Sequence, residues 1–368
     1  YCVTACPYDA RWMHPKTGLP VKCMGKGCES LLKAGKDPAC VAACPASARA
    51  FGDINDPSSA ISQRLQHGRS ERLMPQKGTR PNFFVNLTAQ AAPSHWGWTI
   101  AFFLWFVGLS GMSLFLNYWV RSRRIHYAAT AAAVVGTLLV VSHLGRILNL
   151  PAAAFNALIH WSFGFTSWMF IGICILAVLC VVTVLQAWLM TKGSALGMRC
   201  GLLAFDAVLG VAATAYSGFL LTQAVGVPLW TTAAIPVLWI FSGLACAVGL
   251  IEILAAAGKL DAESPRWLHA AGWAVHGGEA FVLFAFVLTA LSGTPGAAAG
   301  AESLVSGSTS LLFWGGAVGC GLLIPCITAC LKSLPSAALG GAAALIGALS
   351  LRAAILFAGT FDPVIWPL

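Results

Sequence analysis

Cys2-Val-Thr-Ala-Cys6-Pro7 and Cys40-Val-Ala-Ala-Cys44-Pro45 frame the first 45 residues, and Cys23 and Cys28 stand between them. A metal cluster held by protein needs four converging thiolates. Closely spaced cysteines on tight turns gather three of them, and a distant cysteine completes the set. Cys23, Cys28 and Cys40 read as one such trio. Zinc is the alternative for two pairs of cysteines. The two Cys-Pro endings argue for iron–sulfur, because a zinc ribbon has no use for them.

Working outward, the remainder of the chain has a different composition. Of 368 residues, 58% are hydrophobic and 10% charged, and the mean hydropathy is +0.77. A soluble domain carries about a quarter charged residues. Residues 1–94 hold 12 of the 22 Lys/Arg and 6 of the 13 Asp/Glu, although they are the shorter part. The sequence therefore divides into a polar cysteine domain and a membrane domain. The net charge of +9 is explained by lysines near the cysteines and by basic membrane loops. No basic stripe is interleaved with aromatics, so nucleic acid is not an expected partner. Seven further cysteines (Cys174, Cys180, Cys200, Cys246, Cys320, Cys326 and Cys330) lie in apolar runs and read as small hydrophobes.

Apolar runs of about 20 residues can cross a bilayer as helices. Eight are expected, near 95–120, 127–147, 164–190, 199–225, 231–258, 268–293, 308–331 and 337–359. Gly340-Gly-Ala-Ala-Ala344 suits close helix packing. Trp96, Trp98, Trp119, Trp161, Trp188 and Trp230 sit near expected helix ends, as an aromatic belt would. The loops after helices 1, 3, 5 and 7 hold Arg121, Arg123, Arg124, Lys192, Arg199, Lys259, Arg266 and Lys332, whereas the other loops hold only Arg146. By the positive-inside rule the odd loops face the cytoplasm. The cysteine domain is then expected on the periplasmic side of a bacterial inner membrane.

Residues 1–85 resemble the ferredoxin-like electron-transfer subunit of the dimethyl sulfoxide, polysulfide and tetrathionate reductase class. The resemblance rests on Cys6-Pro-Tyr-Asp-Ala-Arg11, His14-Pro15, Lys22-Cys23, Pro38-Ala-Cys40-Val-Ala-Ala-Cys44-Pro45, Phe51-Gly-Asp-Ile-Asn-Asp-Pro57 and Leu73-Met-Pro-Gln-Lys-Gly-Thr-Arg-Pro-Asn82. It implies up to four [4Fe–4S] clusters, with Cys2, Cys6, Cys23, Cys28, Cys40 and Cys44 as iron ligands shared with cysteines preceding Tyr1. The chain is thus expected to be truncated at its N-terminus. Cys23-Met-Gly-Lys-Gly-Cys28 is two residues longer than the family's C-x-x-C, and its two glycines are expected to let the extra loop bulge.

The membrane part resembles the NrfD-like, polysulfide reductase and dimethyl sulfoxide reductase membrane anchor. The residues are Tyr216-Ser-Gly-Phe-Leu-Leu221, Val227-Pro-Leu-Trp230, Pro236-Val-Leu238, Ser242-Gly243, Arg352 and Ala358-Gly359. His143-Leu144-Gly145 with Ala154-Phe155-Asn156 is similar to an anchor stretch whose histidine is associated with quinol. The resemblance implies a menaquinone or ubiquinone site, no haem, and a separate molybdopterin-containing catalytic subunit. The two parts together look like a fusion of subunits usually kept apart.

Asp206, Glu252, Glu279 and Arg352 lie in apolar helices, where charges are costly and functional by default. Glu279, His276 and Arg352 are placed near mid-membrane, and Asp206 and Glu252 in the cytoplasmic half. His143 can accept a quinol proton near neutral pH, Tyr216 can hydrogen-bond a quinone carbonyl, and Glu279 can relay the proton.

The expected architecture is a partial ferredoxin-like α+β iron–sulfur domain over 1–56, an extended strap over 57–94, and an all-α membrane domain of eight helices over 95–368. The expected function is electron transfer between membrane quinone and a periplasmic catalytic subunit. Two alternatives remain: the same architecture reducing quinone, and an ion-translocating or structural anchor without quinone chemistry.

Overall fold

The computed structural model describes residues 11–13, 15–16, 20–22, 26–42, 50–67, 70–72, 82, 84–86, 96–143, 159, 168–224, 226–260, 267–331 and 333–361. The chain forms two compact units, Tyr1–Gln90 and Ala91–Asp362.

In the first unit, β1 (Arg11–Met13) pairs antiparallel with β2 (Pro20–Lys22), placing Trp12 opposite Val21. Helix α1 (Lys26–Lys33) follows, ended by Gly35 at φ +67°, and α2 (Ala39–Ala42) starts after the buried Pro38. Residues 57–94, expected as an extended strap, contain α3 (Ala60–His67) and the paired strands β3 (Ser70–Arg72) and β4 (Phe84–Asn86). The helix has a local cause. Asp53 Oδ1 accepts from Asn55 N–H at 2.8 Å, Asp56 Oδ1 accepts from Ser58 N–H and hydroxyl, and the Ser59 hydroxyl accepts from Ser62 N–H at 3.2 Å. These turns set the chain into its first helical turn. The prolines of the segment, which suggest extension, flank the helix instead.

The second unit has no strand ladder among the described residues and eight helices long and apolar enough to span a bilayer. They are α4 (Trp98–Val120), α5 (Arg123–His143), α6 (Trp168–Thr191), α7 (Cys200–Thr222), α8 (Ala234–Ala256), α9 (Trp267–Leu291), α11 (Leu311–Cys330) and α12 (Leu334–Phe357). All eight expected spans are present. A shorter helix, α10 (Pro295–Val305), fills a stretch whose composition reads as a loop. Its start has a local signal: Thr294 caps it and Pro295 takes the first turn, where a missing N–H costs nothing. The first part of α11, Leu311–Leu323, is wound as a π-helix and carries Gly315, Gly316, Gly319 and Gly321.

Helices α4 to α7 pack as one antiparallel group, each touching the next and α7 closing back on α4. Helices α8, α9, α11 and α12 form the other group. The two are joined through α4, which packs on α8 and α12, and through α7 on α8. The most covered helices, α4 and α12, therefore lie at the junction. Backbone contact makes this possible. A Cβ on Gly111 would stand 2.3 Å from Gly210 O, and one on Gly341 2.4 Å from Gly249 O. Small residues let helices approach this closely where lipid supplies no hydrophobic drive. The outward faces carry Leu138, Val181, Val208, Phe281, Leu311 and Leu339 exposed, as lipid contact requires.

Trp98, Trp119 and Trp188 are about half exposed at helix ends. Trp230 differs from the belt reading. It is 1% exposed, its Nε1–H donates to Ile355 O at 2.9 Å, and it packs against Trp96 at 5.1 Å. A tryptophan near a helix end has the same sequence signature whether it faces lipid or core.

Candidate functional site

Several of the motifs noted along the membrane sequence, Gly218, Trp230, Pro236, Ser242, Arg352 and Gly359 among them, meet where α7, α8 and α12 pack, whereas Leu144-Gly145 and Ala154-Phe155-Asn156 lie outside the described residues. Gly218 lies against Pro236, and Gly359 lies against the Trp230 indole, so that a Cβ at either would overlap its neighbour. Ser242 on α8 meets Arg352 on α12. Residues far apart in the chain thus form one patch of close backbone contact with a polar centre.

That centre is Arg352, with no solvent exposure. Its Nη1 donates to Ser242 Oγ at 2.9 Å and to Ala348 O at 3.0 Å. The guanidinium carbon lies 5.2 Å from the Trp239 ring centroid, a cation–π contact. Gly108 of α4 supplies the remaining wall, where a Cβ would be 2.6 Å from Nη2. Arg352 Nε and Nη2, which form one edge of the guanidinium fork, have no protein partner.

Glu279 on α9 is the acid within electrostatic reach of Arg352, and Ser242 stands next to both. One helical turn earlier, His276 Nδ1 is 3.9 Å from Glu279 Oε2, and neither atom has another partner. A buried guanidinium requires a counter-charge, which places Glu279, His276, Ser242 and Arg352 in one electrostatic unit. The sequence places Glu279, His276 and Arg352 at a common depth only; that they form one cluster is a matter of which helix faces meet. Glu252 is half-buried near the end of α8, away from this unit.

Tyr216 is buried on α7, its ring over Gly172 of α6, where any Cβ would collide with the phenol. The structure does not bring it to Glu279: no interaction joins them among the described residues. His143 closes α5, and its side chain lies outside the described atoms. Sequence reasoning misses His126 entirely. It stands beside Asp206 at the start of α5, and the apolar run on which the helix is expected begins one residue after it. The Arg121–Arg124 run around it reads as a loop.

Of the cluster cysteines, Cys2, Cys6, Cys23 and Cys44 lie outside the described residues. Cys28 is a free, half-buried thiol in the first turn of α1, and Cys40 is the second residue of α2. Within the longer Cys23–Cys28 spacing, Lys26, Gly27 and Cys28 are helical, and Cys23, Met24 and Gly25 lie outside the described residues.

Comparison with known sequences separates the same two parts. The 4Fe-4S dicluster domain family matches residues 1–54, and the family described as polysulphide reductase, NrfD, matches residues 86–363. Protein NrfC of Escherichia coli K12 is 45% identical over 85 residues, covering 23% of this chain and 37% of that protein. A polysulfide reductase component of Wolinella succinogenes is 42% identical over 86 residues, covering 23% of this chain and 44% of its own length. The chain therefore spans less than half the length of these two relatives. Protein NrfD of Escherichia coli K12 is 28% identical over 303 residues, covering 72% of this chain and 94% of that protein. Segments found in separate relatives are thus joined here in a single multi-pass membrane chain, and it belongs to the polysulphide reductase NrfD family, with a 4Fe-4S dicluster domain at its N-terminal end.

Proposed function

We propose that this chain is the electron-transfer and membrane-anchor subunit of a respiratory oxidoreductase complex in a bacterial inner membrane. Cys2, Cys6, Cys23, Cys28, Cys40 and Cys44 ligate [4Fe–4S] clusters, up to four once further cysteines are supplied. Bound clusters supply one-electron transfer between a membrane quinone, menaquinone or ubiquinone, and a partner subunit carrying a molybdopterin cofactor. The observation that carries this reading is the joining of a dicluster segment and an NrfD domain in one chain. Relatives named as polysulfide and tetrathionate reductase subunits support a reductase partner.

Within the membrane domain, His143 takes a quinol proton at the end of α5. Tyr216 hydrogen-bonds the quinone, and Glu279 with His276 moves the proton inward. The excess of arginine and lysine on one set of loops supports a periplasmic position for residues 1–56, joined through 57–94 to the membrane domain at 95–368.

The test is purification of the complex from membranes. Mass spectrometry identifies the partner, and electron paramagnetic resonance of the reduced sample counts the clusters. Quinol oxidation and quinone reduction are each assayed with a quinone analogue and with His143→Ala. The reading requires a molybdopterin-fold partner and turnover that both the analogue and the variant suppress. A partner of another fold, or turnover insensitive to both, rules it out.

A further inference from the structure

His126 and Asp206 lie in the other half of the membrane domain from Arg352, and the chain builds their meeting with care. Arg121 adopts a left-handed conformation at φ 55°, its N–H capping Asn117 O at 2.9 Å. Ser122 N–H donates to Asn117 Oδ1 at 2.9 Å. This two-residue turn starts α5 at Arg123 and carries His126 inward, where it has no solvent exposure.

Proton counting follows from its partners. His126 Nε2 is 3.2 Å from Thr183 O on α6. A carbonyl oxygen only accepts, so Nε2 bears a proton. Nδ1 faces Asp206 Oδ2 at 3.8 Å across to α7. Neither Nδ1 nor either Asp206 oxygen has a hydrogen bond. A neutral imidazole protonated at Nε2 presents a lone pair at Nδ1, opposite a carboxylate that can also only accept. Two acceptors facing each other in a buried site are unfavourable. One further proton resolves this, either on Nδ1 as imidazolium or on Oδ2 as carboxylic acid.

The surroundings supply no other charge. Thr130 and Thr183 hydroxyls are committed to the backbone carbonyls of His126 and Leu179. Gln186, the neutral neighbour of Asp206, donates through Nε2 to Gly197 O at 2.7 Å in the turn Ala195–Met198, leaving its buried Oε1 unpaired. Among the described residues, neither α4, α6 nor that turn places an acid or base within ion-pair distance of the dyad. Arg121 instead donates to Cys200 Sγ at 2.9 Å, and Arg123, Arg124, Lys192 and Arg199 are exposed. Asp206 lies six residues into α7, about 9 Å along its axis, so the dyad is near the basic end of the bundle.

We infer that His126 and Asp206 form a proton-binding site of the membrane domain. The pair holds a single exchangeable proton near the basic helix ends, apart from the Glu279–His276–Arg352 unit. Protonation converts an unfavourable pair of acceptors into a hydrogen-bonding or ion-paired one, so uptake and release make and break the His126–Asp206 link across the group from α5 to α7.

Infrared difference spectroscopy of the detergent-purified complex, stepped in pH in H2O and D2O, tests this. The expected result is a carboxyl C=O band that shifts in D2O, titrates with pH, and is missing from Asp206→Asn. His126→Gln is expected to move the midpoint of that band by about one pH unit or more. Should Asp206→Asn not accumulate, His126→Gln decides alone, because it keeps the carboxyl and removes its partner. Absence of both such a band and a titrating imidazolium band lost in His126→Gln, bands that neither variant alters, or a response set by sodium at fixed pH would each overturn the inference. Quinol turnover is not read, so this result stands or falls apart from the electron-transfer reading.

Discussion

A guanidinium with no solvent contact needs hydrogen bonds and compensating charge; Arg352 has the Ser242 hydroxyl and Ala348 O as partners, and Glu279 is within electrostatic reach. If Glu279 relays protons, Glu279→Gln lowers quinol turnover about a hundredfold while helix content and cluster signals stay unchanged; unchanged turnover removes it from the mechanism. Trp230→Phe deletes the hydrogen bond to Ile355 O and leaves that carbonyl buried. A stability loss of about 1–2 kcal/mol is expected, read as a lowered midpoint in thermal unfolding of the purified complex. At this scale the sequence is readable wherever a charge interrupts an apolar run. Glu279, Arg352 and Asp206 are visible for that reason. His126 is not, because it follows Arg123-Arg124 and histidine adds no contrast to a basic stretch. Its partner Asp206 stands out, but the contact depends on a turn geometry that composition does not encode.

Helices here meet through glycine, and the packing predicts its own failure. Gly341→Leu places a branched side chain where Gly249 O would lie 2.4 Å from the new Cβ. The α8–α12 contact must then open, and loss of the folded monomer in detergent chromatography is expected; Gly340→Ala, which meets the Thr328 hydroxyl rather than backbone, is milder. The glycine run at 340–341 can be read as a packing face, but which helix it faces cannot. Eight spans follow from apolar length alone, whereas α10 is too short to register as one and depends on Thr294-Pro295. In the first unit, two hydrogen bonds from Ser58 hold the Asp56 carboxyl below its ordinary value of 3.8. A depressed carboxyl stabilises the folded state above its unfolded value and loses that contribution as pH falls through the folded one. The α3 start therefore weakens in acid only below about pH 4, and Asp56→Ala removes that dependence; backbone amide exchange at Ser58 and Ser59 reports it.

Taken whole, the membrane unit has one end marked by Arg121, Arg123, Arg124, Lys192, Arg199 and Lys259, set there by alternating helix direction. Cys200 and Cys330 are exposed thiols at that same end. An impermeant thiol reagent is expected to modify them in inside-out vesicles and not in intact spheroplasts; the opposite pattern inverts the orientation. Span number is legible because it depends on summed composition. The division into two helix groups is not, since it depends on which faces meet. One consequence concerns the order in which the molecule is made. The two-residue turn at Arg121 joins α4 to α5 through contacts local in sequence, so this hairpin can close as soon as both helices have left the ribosome. Yet α4 also packs on α8 and α12, the latter synthesised more than two hundred residues later. The earliest-made of these eight helices is among the last to be enclosed, and until then lipid must cover the face that Gly108 will turn toward Arg352.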